Sequence, residues 1–120
     1  MKLEEHQAYI LSFKLSNYIW NIVSNWNYLA QNTIGKQIIR SADSISNNLA
    51  EGWERYYKKD KILFYIYDRA SVSETQDFTK KAKLRNLITK EQYDYIIFIL
   101  NSLPEIINGL IKGKNNNLKK

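Results

Sequence analysis

Gly35-Lys36-Gln37-Ile38-Ile39-Arg40-Ser41-Ala42-Asp43-Ser44-Ile45-Ser46-Asn47-Asn48-Leu49-Ala50-Glu51-Gly52 carries two stripes at once. Ile38, Ala42, Ile45, Leu49 and, just beyond, Trp53 recur every three or four residues and so share one face of a helix. Gln37, Arg40, Ser44, Asn47, Glu51 and Arg55 recur at steps of three, four, three, four and four, which stacks them as a polar stripe along another side. Ser41, Ala42, Ser46 and Ala50 lie between the stripes and are small enough to let a neighbouring helix approach closely. The stretch reads as the middle of an amphipathic helix, over about 33–56, that packs against others.

The same spacing recurs on both sides of it. Four glycines and one proline interrupt the chain very little, and long uninterrupted segments with a period near 3.6 indicate helices. Leu11, Leu15, Tyr18, Ile22 and Trp26, widened by Ile19 and Val23, predict a first helix over about 4–26. Asn25, Asn27, Asn32 and Gly35 predict a turn after it, with Asn32 or Thr33 able to cap the next helix. A third helix is expected from Lys59 or Asp60 to about Leu87, with Tyr67, Ala70, Glu74, Phe78 and Ala82 as its inner stripe. Thr89 and Gln92 match a capping box. The fourth helix then runs over about 90–112, with Tyr93, Ile96, Ile97, Leu100, Leu103, Ile107 and Leu110 facing inward. Pro104 predicts a kink in it, because proline lacks an N–H and crowds the preceding turn. The result is one all-α domain over 1–112, an up-down-up-down antiparallel four-helix bundle. The Asn- and Lys-rich segment 113–120 is expected to be a basic, disordered tail.

Composition narrows the chemistry. The chain has 120 residues, 44% hydrophobic, and no cysteine. Disulfides and thiolate metal sites are therefore excluded, and a reducing compartment fits. No run of about 20 apolar residues predicts a membrane span, and residues 1–6 show no signal-peptide core; a cytoplasmic location is expected. His6 is the one histidine, so the paired Glu-x-x-His motifs of a diiron bundle cannot form and the common nucleophile–base pairs have no members. His6 itself is expected to be solvated. No glycine-rich phosphate loop is present. The sequence predicts no enzyme, no cofactor and no metal.

The polar stripe has two readings, a solvated face or a hydrogen-bonded seam between helices or subunits. Glu74 favours the seam. It falls in the middle of the apolar stripe assigned to the third helix, and a buried carboxylate needs a cation such as Arg40 or Arg55. The structural seam is thus assigned to Gln37, Arg40, Ser44, Asn47, Glu51, Arg55 and Glu74.

These residues also resemble the 23S rRNA-intervening-sequence protein family. Its signature of Gln, Arg, Ala-x-Ser-Ile, Asn-Ile-Ala-Glu-Gly and Arg is matched by Gln37, Arg40, Ala42 to Ile45, Asn48 to Gly52 and Arg55. Ala70-Ser71-Val72-Ser73-Glu74-Thr75 resembles the family's Gly/Ala-Ser-x-x-Glu element, and Lys83 to Ile88 the approach to its last turn. Leu49 stands for the usual Ile and Ala70 for the commoner Gly. The resemblance covers nearly the whole chain. It implies an up-down four-helix bundle that assembles as a homopentamer around a central channel, with no known catalytic residue. The genes often lie within sequences that interrupt 23S rRNA genes. A related group serves as accessory proteins to reverse transcriptases, so RNA, DNA or a polymerase are the partners it implies.

The net charge of +6 suits a polyanion. AT-rich codons supply the same abundance of Asn, Lys, Ile and Tyr, so charge by itself names no partner. Lys58, Lys59 and Lys61 cluster at the second turn, and Lys80, Lys81, Lys83, Arg85 and Lys90 around the end of the third helix. In an up-down bundle these clusters lie at opposite ends, and in a ring of subunits each becomes a ring of charge. Tyr56, Tyr57 and Tyr65 lie near the first cluster and could stack on bases. Two functions remain: a basic nucleic-acid-binding accessory protein, or a protein-interaction scaffold in which the charge is incidental.

Overall fold

The computed structural model describes residues 1–119, with side chains described through Lys114. Four long helices make up the fold: α1 (Gln7–Val23), α2 (Lys36–Glu54), α3 (Lys58–Leu84) and α4 (Lys90–Lys119). Each packs on the next and α4 returns to α1, which gives the expected bundle, 52 Å long and 22 Å across. The tail expected at 113–120 lies largely outside the residues with described side chains.

The ends of the helices are set by caps, and three differ from the periodicity. His6 Nδ1 accepts from the Ala8 amide at 3.1 Å, so α1 starts at Gln7, after a short 3-10 turn at Leu3–Glu5. The ring is half-buried and packs edge to face with Trp53, the ring centres 5.7 Å apart. Desolvation lowers its pKa, and the neutral ring is the form that can accept this bond. His6 is a structural cap rather than a solvated side chain.

The turn expected across 25–35 is much shorter. Asn27 Oδ1 accepts from the Ala30 amide at 2.9 Å, and helix begins at once with Tyr28–Ala30. It passes through a π-helical turn at Gln31–Gly35 and runs straight into α2. Gly35 is therefore not a turn glycine. A Cβ there would stand 2.9 Å from the Ala30 carbonyl oxygen and 2.9 Å from Val23 Cγ1, so the residue is needed for close passage past α1.

α3 stops at Leu84, three residues before the expected end. Asn86 takes the left-handed conformation at φ 60°. The Leu87 amide then donates back to the Ala82 carbonyl at 2.9 Å and the Asn86 amide to Lys83 at 3.1 Å. This paired cap satisfies carbonyls that the helix end leaves open. The capping box at the next helix forms as expected, with Thr89 N to Gln92 Oε1 at 2.9 Å and Gln92 N to Thr89 Oγ1 at 3.1 Å. α4 continues through Pro104. By length and composition Lys90–Lys114 could cross a membrane, but Ile96, Ile99, Leu100, Leu103 and Ile107 are buried in the bundle core.

The core joins Leu15, Ile19, Ile38, Ile45, Leu49, Tyr65, Val72 and the inner face of α4. In α1 its centre is Leu15, Ile19 and Val23, flanked by half-buried Leu11, Tyr18, Ile22 and Trp26. In α3 the buried face is Tyr65, Asp68, Val72, Thr75, Thr79 and Ala82. The expected stripe there is corrected: Tyr67, Ala70 and Glu74 are exposed and Phe78 is half-buried. The reason is the close approach of α2, which the small residues of that helix allow. Ser41 and Thr75 hydroxyls meet at 2.9 Å, and Asn48 reaches Ser71 at 3.3 Å. A Cβ on Gly52 would stand 2.8 Å from Tyr65 Cε1 and 3.1 Å from Phe64 Cβ.

Candidate nucleic-acid interface

The polar stripe of α2 forms along one edge, but as a surface. Gln37, Arg40, Asn47, Glu51 and Arg55 are exposed and Ser44 is half-buried. Its contacts run within the helix: Arg40 Nη2 to Gln37, Ser44 Oγ to the Arg40 carbonyl at 2.8 Å, Arg55 to Glu51 at 3.2 Å. Glu74 is exposed and, among the described residues, pairs with neither Arg40 nor Arg55. The expectation of a buried Glu74 ion pair within the chain is wrong, because the helix presents Thr75, not Glu74, to α2.

The two basic clusters do lie at opposite ends, and they differ. At the end where α3 starts, Lys61 is half-buried and donates to the carbonyls of Gly52 at 3.3 Å and Trp53 at 2.5 Å. It caps the last turn of α2, where the helix dipole favours a cation. Burial and then Lys114 lower its pKa. Arg55 lies over the Phe64 ring at 4.6 Å. Lys58 and Lys59 are exposed. Tyr65, read as a possible stacking platform, is 1% exposed and belongs to the core. Tyr56 and Tyr57 are exposed and pack edge to face at 5.0 Å.

At the end where α3 stops, Lys81 pairs with Asp77 at 2.7 Å and Lys90 with Asp94 at 2.7 Å. Those hydrogen bonds lower the Asp77 pKa and raise that of Lys90. Lys80, Lys83 and Arg85 make no ion pair among the described residues. Two shallow grooves flank this helix end. One, of about 360 Å³, lies toward α2 and is lined by Lys36, Gln37, Phe78, Lys81 and Arg85, with residues of the π-helical turn. The other, of about 390 Å³, is lined by Lys80, Lys83, Leu84, Asn86 and Tyr93. Lys36 was not singled out in the sequence. The signal for it is its place four residues before Arg40, on the helix expected over 33–56.

Large apolar side chains are also exposed. Phe13 (51%) and Trp20 (57%) stand with Ile10 on the outer face of α1, and Phe98 (71%) on α4. Asp68 is a further residue that the periodicity missed. It is fully buried on the inner face of α3, and neither carboxylate oxygen has a hydrogen-bond partner. Burial pushes its pKa up to about 9.

Comparison with known families gives one finding. The family model described as 23S rRNA-intervening sequence protein matches residues 4–109. That span takes in all of α1, α2 and α3 and most of α4, so the chain belongs to this family. A comparison with curated proteins found no match.

Proposed function

We propose that this member of the 23S rRNA-intervening sequence protein family is a non-catalytic, oligomeric bundle protein that binds nucleic acid. Its role is that of an accessory protein acting on structured RNA or an RNA–DNA hybrid. The observation that carries this reading is a set of cations without acidic partners among the described residues, exposed Lys80 and Arg85 and half-buried Lys83, on a chain of net charge +6. Such groups attract phosphates through long-range fields and release counterions on contact. Contacts of this kind recognise charge and shape with little base readout. Assembly into a ring, which the resemblance implies to be a pentamer, multiplies weak contacts, and exposed Phe13, Trp20 and Phe98 supply apolar surface for subunit contacts. The same apolar surface supports a second reading, a scaffold for another protein such as a reverse transcriptase, in which the charge is incidental.

A salt titration of binding to structured RNA, with the solution mass measured alongside, separates the two. Submicromolar binding near physiological salt, with a log–log slope of several units, is the expected outcome. Weak, salt-insensitive binding by an intact oligomer would leave the scaffold.

A further inference from the structure

The two ends of the bundle are not equivalent as polyanion sites: both carry exposed lysines without an ion pair among the described residues, Lys58 and Lys59 at one and Lys80 at the other, and they differ in how the cations are placed. Where α3 starts, Lys61 is committed to the carbonyls that close α2, Arg55 is held between Glu51 and the Phe64 ring, and Glu54 and Asp60 lie beside Lys58 and Lys59 in the chain. A strand of phosphates arriving there meets acids interleaved with bases. Where α3 stops, Asp77 and Asp94 are each engaged by a lysine, and Glu91 in the first turn of α4 makes no ion pair among the described residues. Lys36, Lys80, Lys83 and Arg85 have no ion pair among the described residues.

The geometry of that second end adds to the charge. The last turn of α3 stands as a ridge between the two grooves, with Lys36 and Arg85 lining one and Lys80 and Lys83 the other. The ridge is fixed rather than frayed. Asn86 closes the helix in the left-handed conformation, with Leu87 and Asn86 amides bonded back to Ala82 and Lys83. Trp26 Nε1 donates to the Leu87 carbonyl at 2.8 Å and ties the same turn to the segment that follows α1. Cations carried on a rigid ridge lose less freedom on binding than cations on a loose loop.

We infer that a nucleic-acid strand crosses this protein at one end only, over the last turn of α3, with its phosphates held by Lys36 and Arg85 on one side of the ridge and Lys80 and Lys83 on the other. The inference rests on the nucleic-acid reading above and narrows it: Lys58, Lys59 and Lys61 are outside the site. Each contact contributes to the salt dependence by about 0.7 to 0.9 in the log–log slope. Tyr93 lines the second groove and offers a ring to an unpaired base.

The test is fluorescence anisotropy with a labelled RNA hairpin carrying a single-stranded tail, at several salt concentrations. Three proteins are compared: wild type, the triple variant Lys80→Glu, Lys83→Glu, Arg85→Glu, and the control Lys58→Glu, Lys59→Glu. The triple variant is expected to weaken binding by about tenfold or more and to lower the slope by about 2, while the control stays within about twofold of wild type. Equal losses in both variants would overturn the single-end site and leave nucleic-acid binding standing. A wild-type protein with no salt-dependent binding would instead overturn the nucleic-acid reading itself. Circular dichroism reports whether the triple variant keeps its helices. If it does not, the milder Lys80→Gln, Lys83→Gln pair gives the same comparison, with a drop in slope expected and an unchanged slope counting against the site.

Discussion

Asp68 and Thr75 sit two turns apart on the same inner face of α3, and both are fully buried. Thr75 is surrounded by partners: its hydroxyl lies 2.9 Å from Ser41 Oγ on α2 and 2.8 Å from the Ser71 carbonyl. Asp68 has none for either oxygen. The same face of one helix thus buries one polar group with its hydrogen bonds made and one without. Burial alone does not decide what a polar residue does to stability; the missing partner does. Thr75 behaves as part of a packed seam, whereas Asp68 must give up its charge to remain inside.

The largest effect expected from this contrast is in pH dependence. Asp68 has its pKa raised from 3.8 to about 9 in the folded protein by desolvation. Between those values the folded state holds a proton that the unfolded state does not. Its contribution to stability therefore falls as pH rises from about 4 to about 9 and levels off beyond. At pH 7 the penalty is on the order of 4 kcal/mol. Asp68→Asn stays neutral throughout and is expected to remove this slope. Asp68→Leu, which keeps the branched shape, is expected to raise stability at pH 7 by a few kcal/mol. Urea unfolding of wild type and both variants at pH 5 and pH 8 measures the difference. A wild type and Asp68→Asn with parallel pH profiles would mean that Asp68 has a partner after all, and the contrast with Thr75 would vanish.

A smaller effect probes why the seam can close. Gly52 lets α2 approach α3, and an added Cβ would press on the Tyr65 ring and on Phe64 Cβ. Tyr65 is 1% exposed and is held in the core. Overpacking of this kind costs about 1–3 kcal/mol, offset by the roughly 1 kcal/mol that alanine gains over glycine in a helix. Gly52→Ala is expected to lose about 1 kcal/mol in chemical denaturation. An alanine that stabilised the protein would show that the helices are not held at this distance.

Much of this was readable from residue spacing, and the misses share a cause. The four helices, the capping box at Thr89 and Gln92, and the cores of α2 and α4 follow from apolar periodicity, which those segments carry strongly. α3 does not carry it. Its inner face is Tyr65, Asp68, Val72, Thr75, Thr79 and Ala82, three of them polar, while Tyr67 and Phe78 supply apolar surface on another side. A period-based reading follows apolarity, so it found Ala82 and half-buried Phe78 but turned away from the inner face at Tyr67 and Ala70 and placed Glu74 inside. The signal that could have corrected it is the Ser41, Ser46 and Gly52 edge of α2: a helix with small residues at its contact calls for a close neighbour whose own side chains can be polar only if they pair. Likewise Gly35 read as a turn because glycine usually marks one, when steric closeness to Val23 and Ala30 is what requires it. The basic clusters were legible as positions, but which lysines are free depends on pairs such as Lys81 with Asp77 and on the Lys61 cap.

The smallest effect gives the sharpest test of whether Asp68 and Thr75 belong to separate environments. Thr75→Val keeps the shape and removes the hydroxyl. Ser41 retains its own bond to the Ile38 carbonyl at 3.2 Å, so no buried group is orphaned and the loss should be about 1 kcal/mol. Combined with Ser41→Ala, the double variant is expected to fall short of the sum by about 0.5 kcal/mol or more, because the two hydroxyls share one contact. Combined with Asp68→Asn, it is expected to be additive, since seven residues of helix separate the two by about 10 Å. Coupling in the second pair would require a polar link running along α3 from Thr75 to Asp68, and the carboxyl would then be the end of the seam rather than an isolated acid. Additivity there together with coupling to Ser41 would place the boundary of the hydrogen-bonded seam between Val72 and Asp68, where α3 changes from paired polarity to unpaired.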